Sequence, residues 1–305
     1  MSDPGFVTRF APSPTGPLHL GHAFSALTAF DAARRRHGRF LLRIEDIDSV
    51  RCRPVFETAI AEDLAWLGLA WEAPVRRQSE HLEDYSTALA SLHERGLTYR
   101  CFKTRREVLD DIGRAPHAAV EAFTGGPLSA AAEARRLGGG EAYAWRLSMA
   151  AALGELGHAS LLTFFEEGEG PGGETGRVAA QPGRFGDVIL ARKGLGVAYH
   201  LAVVVDDALQ GVTHVIRGSD LFEATNVQCL IQALLGLPTP TYRHHRMLTD
   251  ACGRRLSKRD GAASLRELRA GGATPAKVRA ELGIDLPSAG LGIRTKPSVG
   301  AARGQ

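Results

Sequence analysis

Hydrophobic residues in the first hundred positions alternate between strand-like runs and helical stripes. The apolar runs 6–10 and 40–44 predict two β-strands. Each run is followed by apolar residues at helical spacing, which predict two helices with the following stripes: Leu20, Phe24, Leu27 and Phe30, then Phe56, Ile60, Leu64 and Leu67. Alternation of strand, loop and helix favours an α/β fold with a doubly wound parallel sheet.

The pattern loosens between residues 98 and 185, where Gly-rich stretches such as 137–140 and 168–173 interrupt it. Beyond this segment, apolar runs at 188–190, 201–205 and 213–216 predict strands. A helix then presents one apolar face, which consists of Val227, Leu230, Ile231 and Leu234. We therefore predict a subdomain inserted between two halves of one sheet.

The last part of the chain is predicted to be a short helical segment. Thr274 and Pro275 have the residue types of a helix cap and a first-turn proline, and the Pro/Gly-rich end after them is typical of a disordered tail. The predicted division of the whole chain is therefore a first half-sheet at 1–97, an insertion at 98–185, a second half-sheet at 186–262, and a helical segment with its tail at 263–305.

The loop between the first strand and the first helix has the residues of a nucleotide site. Gly16 and three prolines favour turns and extended backbone, and Gly21 lets a flat ligand approach the main chain. His19 and His22 share one face of the first helical turn, where amide groups and the helix dipole attract phosphate. Two histidines at a helix start can also be capping or surface groups, so this pattern alone leaves both readings open.

A second stretch, 255–259, reads Arg-Leu-Ser-Lys-Arg. Alone it is typical of a solvated basic turn. Beside the first loop it can complete an ATP site, because the ammonium group of Lys258 can stabilise charge on a leaving pyrophosphate. The predicted ATP-binding residues are Pro12, His19, Gly21, His22, Leu256, Ser257 and Lys258.

These stretches belong to an ordered set that resembles the class I glutamyl-tRNA synthetases between about residues 6 and 262. The matching blocks are 9–16, 19–22, 43–48, 199–207, 215–221 and 256–258. The resemblance implies a Rossmann-like catalytic domain that activates L-glutamate with ATP and Mg²⁺. It implies catalytic roles for His19, His22 and Lys258, and a glutamate pocket formed by Arg9, Ala11, Ser13, Glu45, Tyr199 and Arg217.

Only 43 residues follow Ala262, too few for the anticodon-binding region of a full glutamyl-tRNA synthetase. The chain thus resembles the truncated paralogues of the family, which form glutamyl-adenylate without tRNA and attach glutamate to the queuosine base of tRNA(Asp). A monomer is expected. Three alternatives stay open: conventional glutamylation of a tRNA 3′ end, a small nucleotidyl transferase with a similar histidine motif, and a non-catalytic or altered-specificity nucleotide-binding paralogue.

The chain departs from the family at a zinc motif. Many members hold structural zinc through a Cys-x-Cys pair followed by a tyrosine and another cysteine, but here the pair is replaced by Cys101 and Lys103. Lysine is a poor zinc ligand, and the next cysteine is Cys229. We therefore predict that zinc is absent and that Cys101 is the only retained residue of the motif.

Composition excludes several classes without selecting one. Four scattered cysteines are too few for a disulfide framework, and no apolar run approaches the ~20 residues of a membrane span. A net charge of +3 permits a nucleic-acid partner but does not demand one. The start of the chain lacks the pattern of a signal peptide, so a cytoplasmic protein with no membrane partner is expected.

Overall fold

A computed structural model of the protein describes residues 5–114, 122–157, 162–194, 196–248 and 263–284. The strands in these ranges are β1 (Val7–Phe10), β2 (Arg39–Ile44), β3 (Glu72–Arg77), β4 (Thr98–Cys101), β5 (Ala144–Leu147), β6 (Thr163–Glu166), β7 (Gly176–Ala179), β8 (Ile189–Arg192), β9 (Gly196–Val197), β10 (His214–Gly218) and β11 (Thr241–His245). The helices are α1 (Leu20–Arg35), α2 (Pro54–Trp66), α3 (Leu82–Glu94), α4 (Arg105–Arg114), α5 (Ala130–Gly138), α6 (Met149–Leu156), α7 (Tyr199–Leu209), α8 (Phe222–Leu235), α9 (Leu265–Ala270) and α10 (Pro275–Leu282).

The predicted parallel α/β sheet is confirmed. Strands β1, β2 and β3 pair in parallel, and so do β10, β11 and β6, with β7 antiparallel at the edge. The two groups meet at Thr213, just before β10. Its backbone N–H donates to the Val7 carbonyl at 3.0 Å, and its side-chain hydroxyl accepts from the Val7 N–H at 2.9 Å. The spatial order β3-β2-β1-β10-β11-β6 matches the strand order of a Rossmann sheet, with the switch point between β1 and β10.

A second sheet is antiparallel and contains β4, β5, β8 and β9. The run at 188–190 is therefore a strand, as predicted, but it does not return to the parallel sheet. Strands β6 and β7 do join that sheet, although they precede residue 185. The division of the chain at residues 97, 185 and 262 stays a prediction, since strand pairing alone does not delimit folding units.

The strand predicted at 201–205 is wrong, because these residues lie in α7. Every residue from Leu201 to Asp207 is buried, and α7 packs against both α3 and α8. Five consecutive apolar residues suit a buried helix as well as a buried strand, and period alone cannot separate the two. The later apolar stripe was predicted correctly, since all four of its residues are buried in α8.

Helix α1 carries the first stripe, and it covers β1 and β2. Phe24, Leu27 and Phe30 are buried in the same core cluster as Ile60 and Leu64 of α2. This packing fixes the start of α1 at the carboxyl end of β1, where the loop 11–19 emerges. Of the helices in the described part of the chain, none is long and apolar enough to cross a membrane.

The short helices α9 and α10 pack against α2 and α1, respectively. The backbone N–H of Leu265 donates to the Leu18 carbonyl at 2.8 Å, and a β-bridge joins Ser264 to His19. The predicted helix at 274–275 is confirmed, because the Thr274 hydroxyl caps α10 and Pro275 is its first residue. The segment after residue 262 is thus attached to the loop that begins α1.

Candidate active site

A cavity of about 480 Å³ lies at the carboxyl ends of β1 and β10, at the switch point of the parallel sheet. Its walls contain every predicted site residue that the structure describes, namely Arg9, Ala11, Pro12, Ser13, His19, Gly21, His22, Glu45, Tyr199 and Arg217. Leu256, Ser257 and Lys258 lie outside the described residues. Side chains from both halves of the sheet therefore meet in one space.

The two histidines form a reciprocal cap at the start of α1. The Nδ1 atom of His19 accepts from the Gly21 N–H at 3.1 Å, and the Nδ1 atom of His22 accepts from the His19 N–H at 3.2 Å. Since Nδ1 accepts in each ring, the neutral imidazoles carry their protons on Nε2. The rings lie 3.9 Å apart between centroids, so capping and ligand binding are compatible roles for the same pair.

Gly21 is required by this arrangement. A Cβ atom at this position would lie 2.9 Å from Cε1 of His19, closer than real Cβ contacts allow. The absence of a side chain lets the His19 ring fold back over the first turn of α1. Sequence reasoning assigned Gly21 to close approach of a ligand, and the structure adds a contact within the protein itself.

Arg9 and Glu45 are held by a buried charge network. Asp207 accepts from Nε of Arg9 at 3.0 Å and from Arg43 at 2.7 Å, and Arg43 also donates to Glu45 at 3.1 Å. Burial would raise the pKa of Asp207, but the guanidinium groups of Arg9 and Arg43 hold it below its ordinary value. Burial raises the pKa of Glu45 above its ordinary value, against the opposing effect of the same two arginines. The site therefore favours a further cation beside Glu45.

Arg43 and Asp207 are the residues that sequence reasoning missed. Both stand inside blocks that carried the family resemblance, yet neither was assigned a role. Arg43 is fully buried and its pKa is raised, because three carboxylates including Asp206 outweigh the penalty of burial. A buried arginine needs such partners, and their positions in separate elements could not be read from sequence spacing.

Arg217 lines the cavity and has one donor without a hydrogen-bond partner. Its Nε donates to His244 at 3.1 Å, and its NH2 group donates to the Thr225 hydroxyl at 2.7 Å and to the Leu221 carbonyl at 3.1 Å. The remaining nitrogen, NH1, is buried with no hydrogen-bond partner. An unpaired buried donor is costly, so this atom fits an anionic ligand.

The other pocket residues come from loops around these charges. Ala11, Pro12 and Ser13 follow β1, and the Pro12 carbonyl accepts from the Glu45 N–H at 3.1 Å, which ties the two loops together. Tyr199 is the first residue of α7, and its side chain reaches the cavity wall. The predicted glutamate-binding residues thus bring two guanidinium groups, one carboxylate and a phenol to the pocket, whose walls also contain Asp220 and Arg246.

Described residues on both sides of 249–262 lie at the site. Leu248 lines the cavity, and Ser264 is bridged to His19. Lys258 lies between these two residues in the sequence and outside the described residues.

Cys101 packs among aromatic and apolar side chains. It is buried in a small apolar cluster with Tyr99 and Phe123, and Lys103 makes an ion pair with Asp111. Among the described residues there is no group of three or more His, Cys, Asp or Glu side chains that could hold a metal ion. The absence of zinc stays a prediction.

A family model and individual relatives both match this chain, and they indicate the same family. The family model for the catalytic domain of class I tRNA synthetases (E and Q) matches residues 6–119 and 174–283. A glutamyl-Q tRNA(Asp) synthetase of Rhodobacter capsulatus is 48% identical over 91% of this chain and 100% of its own length. One from Nocardia farcinica is 40% identical over 96% of this chain and 87% of its own.

Solved structures agree on the fold. The glutamate-tRNA synthetase of Elizabethkingia anophelis is 26% identical, superposes with a TM-score of 0.70, and is matched over 84% of this chain and 53% of that one. A glutamate tRNA ligase from Elizabethkingia meningosepticum in complex with its amino acid superposes with a TM-score of 0.68. It is 26% identical and is matched over 84% of this chain and 52% of its own. The chain spans about half the length of these two proteins. By sequence, strand order and the position of its cavity, the chain belongs to the family of class I tRNA synthetases for glutamate and glutamine.

Proposed function

We propose that the protein activates L-glutamate with Mg²⁺-ATP to glutamyl-adenylate, without tRNA, and then transfers glutamate to the queuosine base of tRNA(Asp). The observation that carries this proposal is the single cavity in which Arg9, Glu45 and Arg217 lie together with His19 and His22. Relatives matched over most of their length bear the name glutamyl-Q tRNA(Asp) synthetase, which supports the RNA acceptor.

The charges of the pocket are complementary to free glutamate. Its two carboxylates need two cations, which Arg9 and Arg217 supply, and its ammonium group needs an acceptor, which Glu45 supplies. Tyr199, Ala11 and Ser13 complete the pocket wall. The unpartnered NH1 atom of Arg217 supports this assignment, because a carboxylate would satisfy it.

The reaction needs no protein nucleophile. An α-carboxylate oxygen of glutamate attacks the α-phosphorus of ATP, the bond from that phosphorus to the bridging oxygen breaks, and pyrophosphate leaves with both electrons. Catalysis then consists of positioning and charge stabilisation. His19 and His22 bind phosphate oxygens from the start of α1, and Gly21 and Pro12 shape the nucleotide site. Lys258 supplies positive charge to the leaving group, while Leu256 and Ser257 belong to the ATP-binding set.

The test is glutamate-dependent exchange of pyrophosphate into ATP in the absence of RNA, followed by transfer of labelled glutamate to tRNA(Asp) with and without queuosine. Exchange without RNA and transfer only to the queuosine-containing tRNA are expected. Transfer to the 3′ end of tRNA(Glu) would favour conventional glutamylation instead. The variant Lys258→Ala tests the role of the lysine, and we expect its exchange activity to fall by at least about 100-fold while the protein stays folded.

A further inference from the structure

A line of buried polar side chains runs from Arg217 away from the cavity and across three neighbouring strands. Arg217 lies on β10, His244 on β11 and Glu166 on β6. Nε of Arg217 donates to Nε2 of His244 at 3.1 Å, and Nδ1 of His244 lies 2.6 Å from a carboxylate oxygen of Glu166. The side chains of His244 and Glu166 are fully buried, so neither touches the cavity.

The hydrogen bonds fix which nitrogen of His244 carries the proton. A guanidinium Nε–H can only donate, so Nε2 of His244 must accept. The carboxylate of Glu166 can only accept, so Nδ1 must donate. His244 is therefore neutral with its proton on Nδ1, and it transmits the position of the Glu166 carboxylate to the guanidinium group.

The Glu166 carboxylate is itself fixed by hydrogen bonds to both of its oxygens. Its Oε1 atom accepts from the backbone N–H of His244 and from that of Gly168, both at 2.8 Å, while Oε2 accepts from the His244 ring. Both oxygens must therefore be acceptors. A glutamine has one oxygen and one NH₂ group, so in either orientation it places a donor against a donor.

The ring of His244 is also clamped on its faces. It stacks parallel to Tyr242 at 5.9 Å between centroids, and Phe222 meets it edge-on at 5.1 Å. The guanidinium group of Arg217 lies 5.3 Å from the Tyr242 ring centroid. These contacts leave the imidazole little freedom, so its Nε2 atom is a fixed point for Arg217.

We propose that Glu166 and His244 are positioning residues that orient the guanidinium group of Arg217 so that its NH1 atom meets a carboxylate of bound glutamate. This inference rests on the proposed function of the cavity, and it assigns roles to two residues that do not line it. Its consequence is that loss of the Glu166–His244 contact weakens binding of glutamate and leaves binding of ATP unchanged.

The first measurement is the KM for each substrate in pyrophosphate exchange by Glu166→Gln. We expect the KM for glutamate to rise about tenfold, which corresponds to ~1.4 kcal/mol, with the KM for ATP and kcat within about twofold of the wild type. Glu167→Gln is the matched control, because Glu167 is the next residue and makes a surface ion pair with Arg36. That variant is expected to behave like the wild type.

A second variant covers the case in which Glu166→Gln does not fold. His244→Phe keeps a ring between Tyr242 and Phe222 but removes the acceptor for Arg217, and the same selective rise in the KM for glutamate is expected. An unchanged KM for glutamate in the folded variants, or an equal rise for both substrates, would overturn the inference.

A spectroscopic measurement separates this inference from the proposed function. Long-range ¹H–¹⁵N spectra of the wild type, with the His244 signals assigned by their loss in His244→Phe, should show a neutral ring protonated on Nδ1, and Glu166→Gln should change that state. If the wild type shows no glutamate-dependent exchange, the proposed function fails, whereas a ring protonated on Nε2 in the wild type refutes the positioning chain itself.

Discussion

At the scale of single residues, three buried arginines have different positions in the candidate site. Arg9, Arg43 and Arg217 are all buried, but only Arg9 and Arg217 reach the cavity, and Arg43 fixes the carboxylates around them. The described residues that the motif blocks singled out all line the cavity, and their roles stay predictions. The blocks could not predict Arg43 or Asp207, because the need for a counter-charge arises only when separate elements bury the charges together.

Glu45 gives the site a pH dependence. Burial raises its pKa above the ordinary value of 4.5, so the carboxylate is protonated at a higher pH than a solvated one. Only the carboxylate attracts the ammonium group of glutamate, so kcat/KM for glutamate should fall as pH decreases through the raised pKa. The profile of kcat/KM against pH tests this prediction. A profile whose acid limb stays at or below 4.5, or a limb that persists in Glu45→Gln, would contradict it.

Gly21 separates helix stability from ligand binding. Alanine stabilises a helix relative to glycine by up to about 1 kcal/mol, yet its Cβ would displace the His19 ring. For Gly21→Ala we expect an unchanged or higher melting temperature and a rise of about tenfold in the KM for ATP, measured by exchange. Gly154→Ala is the control, since Gly154 lies in α6 with open space at its Cβ position. Equal effects of both substitutions on the KM for ATP would count against the role of His19.

At the scale of elements, the sequence predicted the parts of the parallel sheet that alternate with amphipathic helices, namely β1, β2, α1 and α2. It failed at α7, where burial on all sides removes the polar face that reveals a helical period. It also placed β8 in the wrong sheet, because strand partners depend on long-range pairing and not on local pattern. The errors thus follow from burial and from non-local contacts.

The attachment of α10 to α1 is a second prediction at this scale. Arg279 makes a two-pronged ion pair with Asp31 at 2.8 and 3.1 Å, and both side chains are only 6% exposed. Arg279→Met would leave a buried carboxylate without its partner, so we expect a loss of about 3 kcal/mol in the free energy of unfolding in urea. Arg269→Met should cost less than about 1 kcal/mol, because its pair with Glu62 is exposed. A similar loss in both variants would show that burial does not set the strength of these pairs.

At the scale of the whole molecule, the antiparallel sheet holds together without the family's complete zinc motif. Its inner face contains the apolar cluster of Tyr99, Cys101 and Phe123, and the carboxylate of Asp187 accepts from the Tyr99 hydroxyl and the Gly125 N–H, both at 2.7 Å. These contacts link the sheet to its loops. A sheet without zinc would depend on such contacts, which is consistent with the prediction that no zinc is bound.

The matching prediction concerns metal content. Protein purified without added zinc should contain far less than one zinc ion per chain by elemental analysis, and a chelator should leave the melting temperature unchanged. If the protein instead contains about one zinc ion per chain, and its removal lowers the melting temperature, the prediction is wrong.

The bridge between His19 and Ser264 also limits the distance between Lys258 and the cavity. Lys258 precedes Ser264 by six residues, and a chain cannot span more than about 3.5 Å per residue, so its backbone cannot lie more than roughly 21 Å from Ser264, which is bridged to His19. A group confined to such a radius has an effective concentration in the millimolar range, whatever path the chain takes between its two anchors. The attachment of α9 and α10 beside the start of α1 therefore limits how far the proposed catalytic lysine can lie from the proposed nucleotide site.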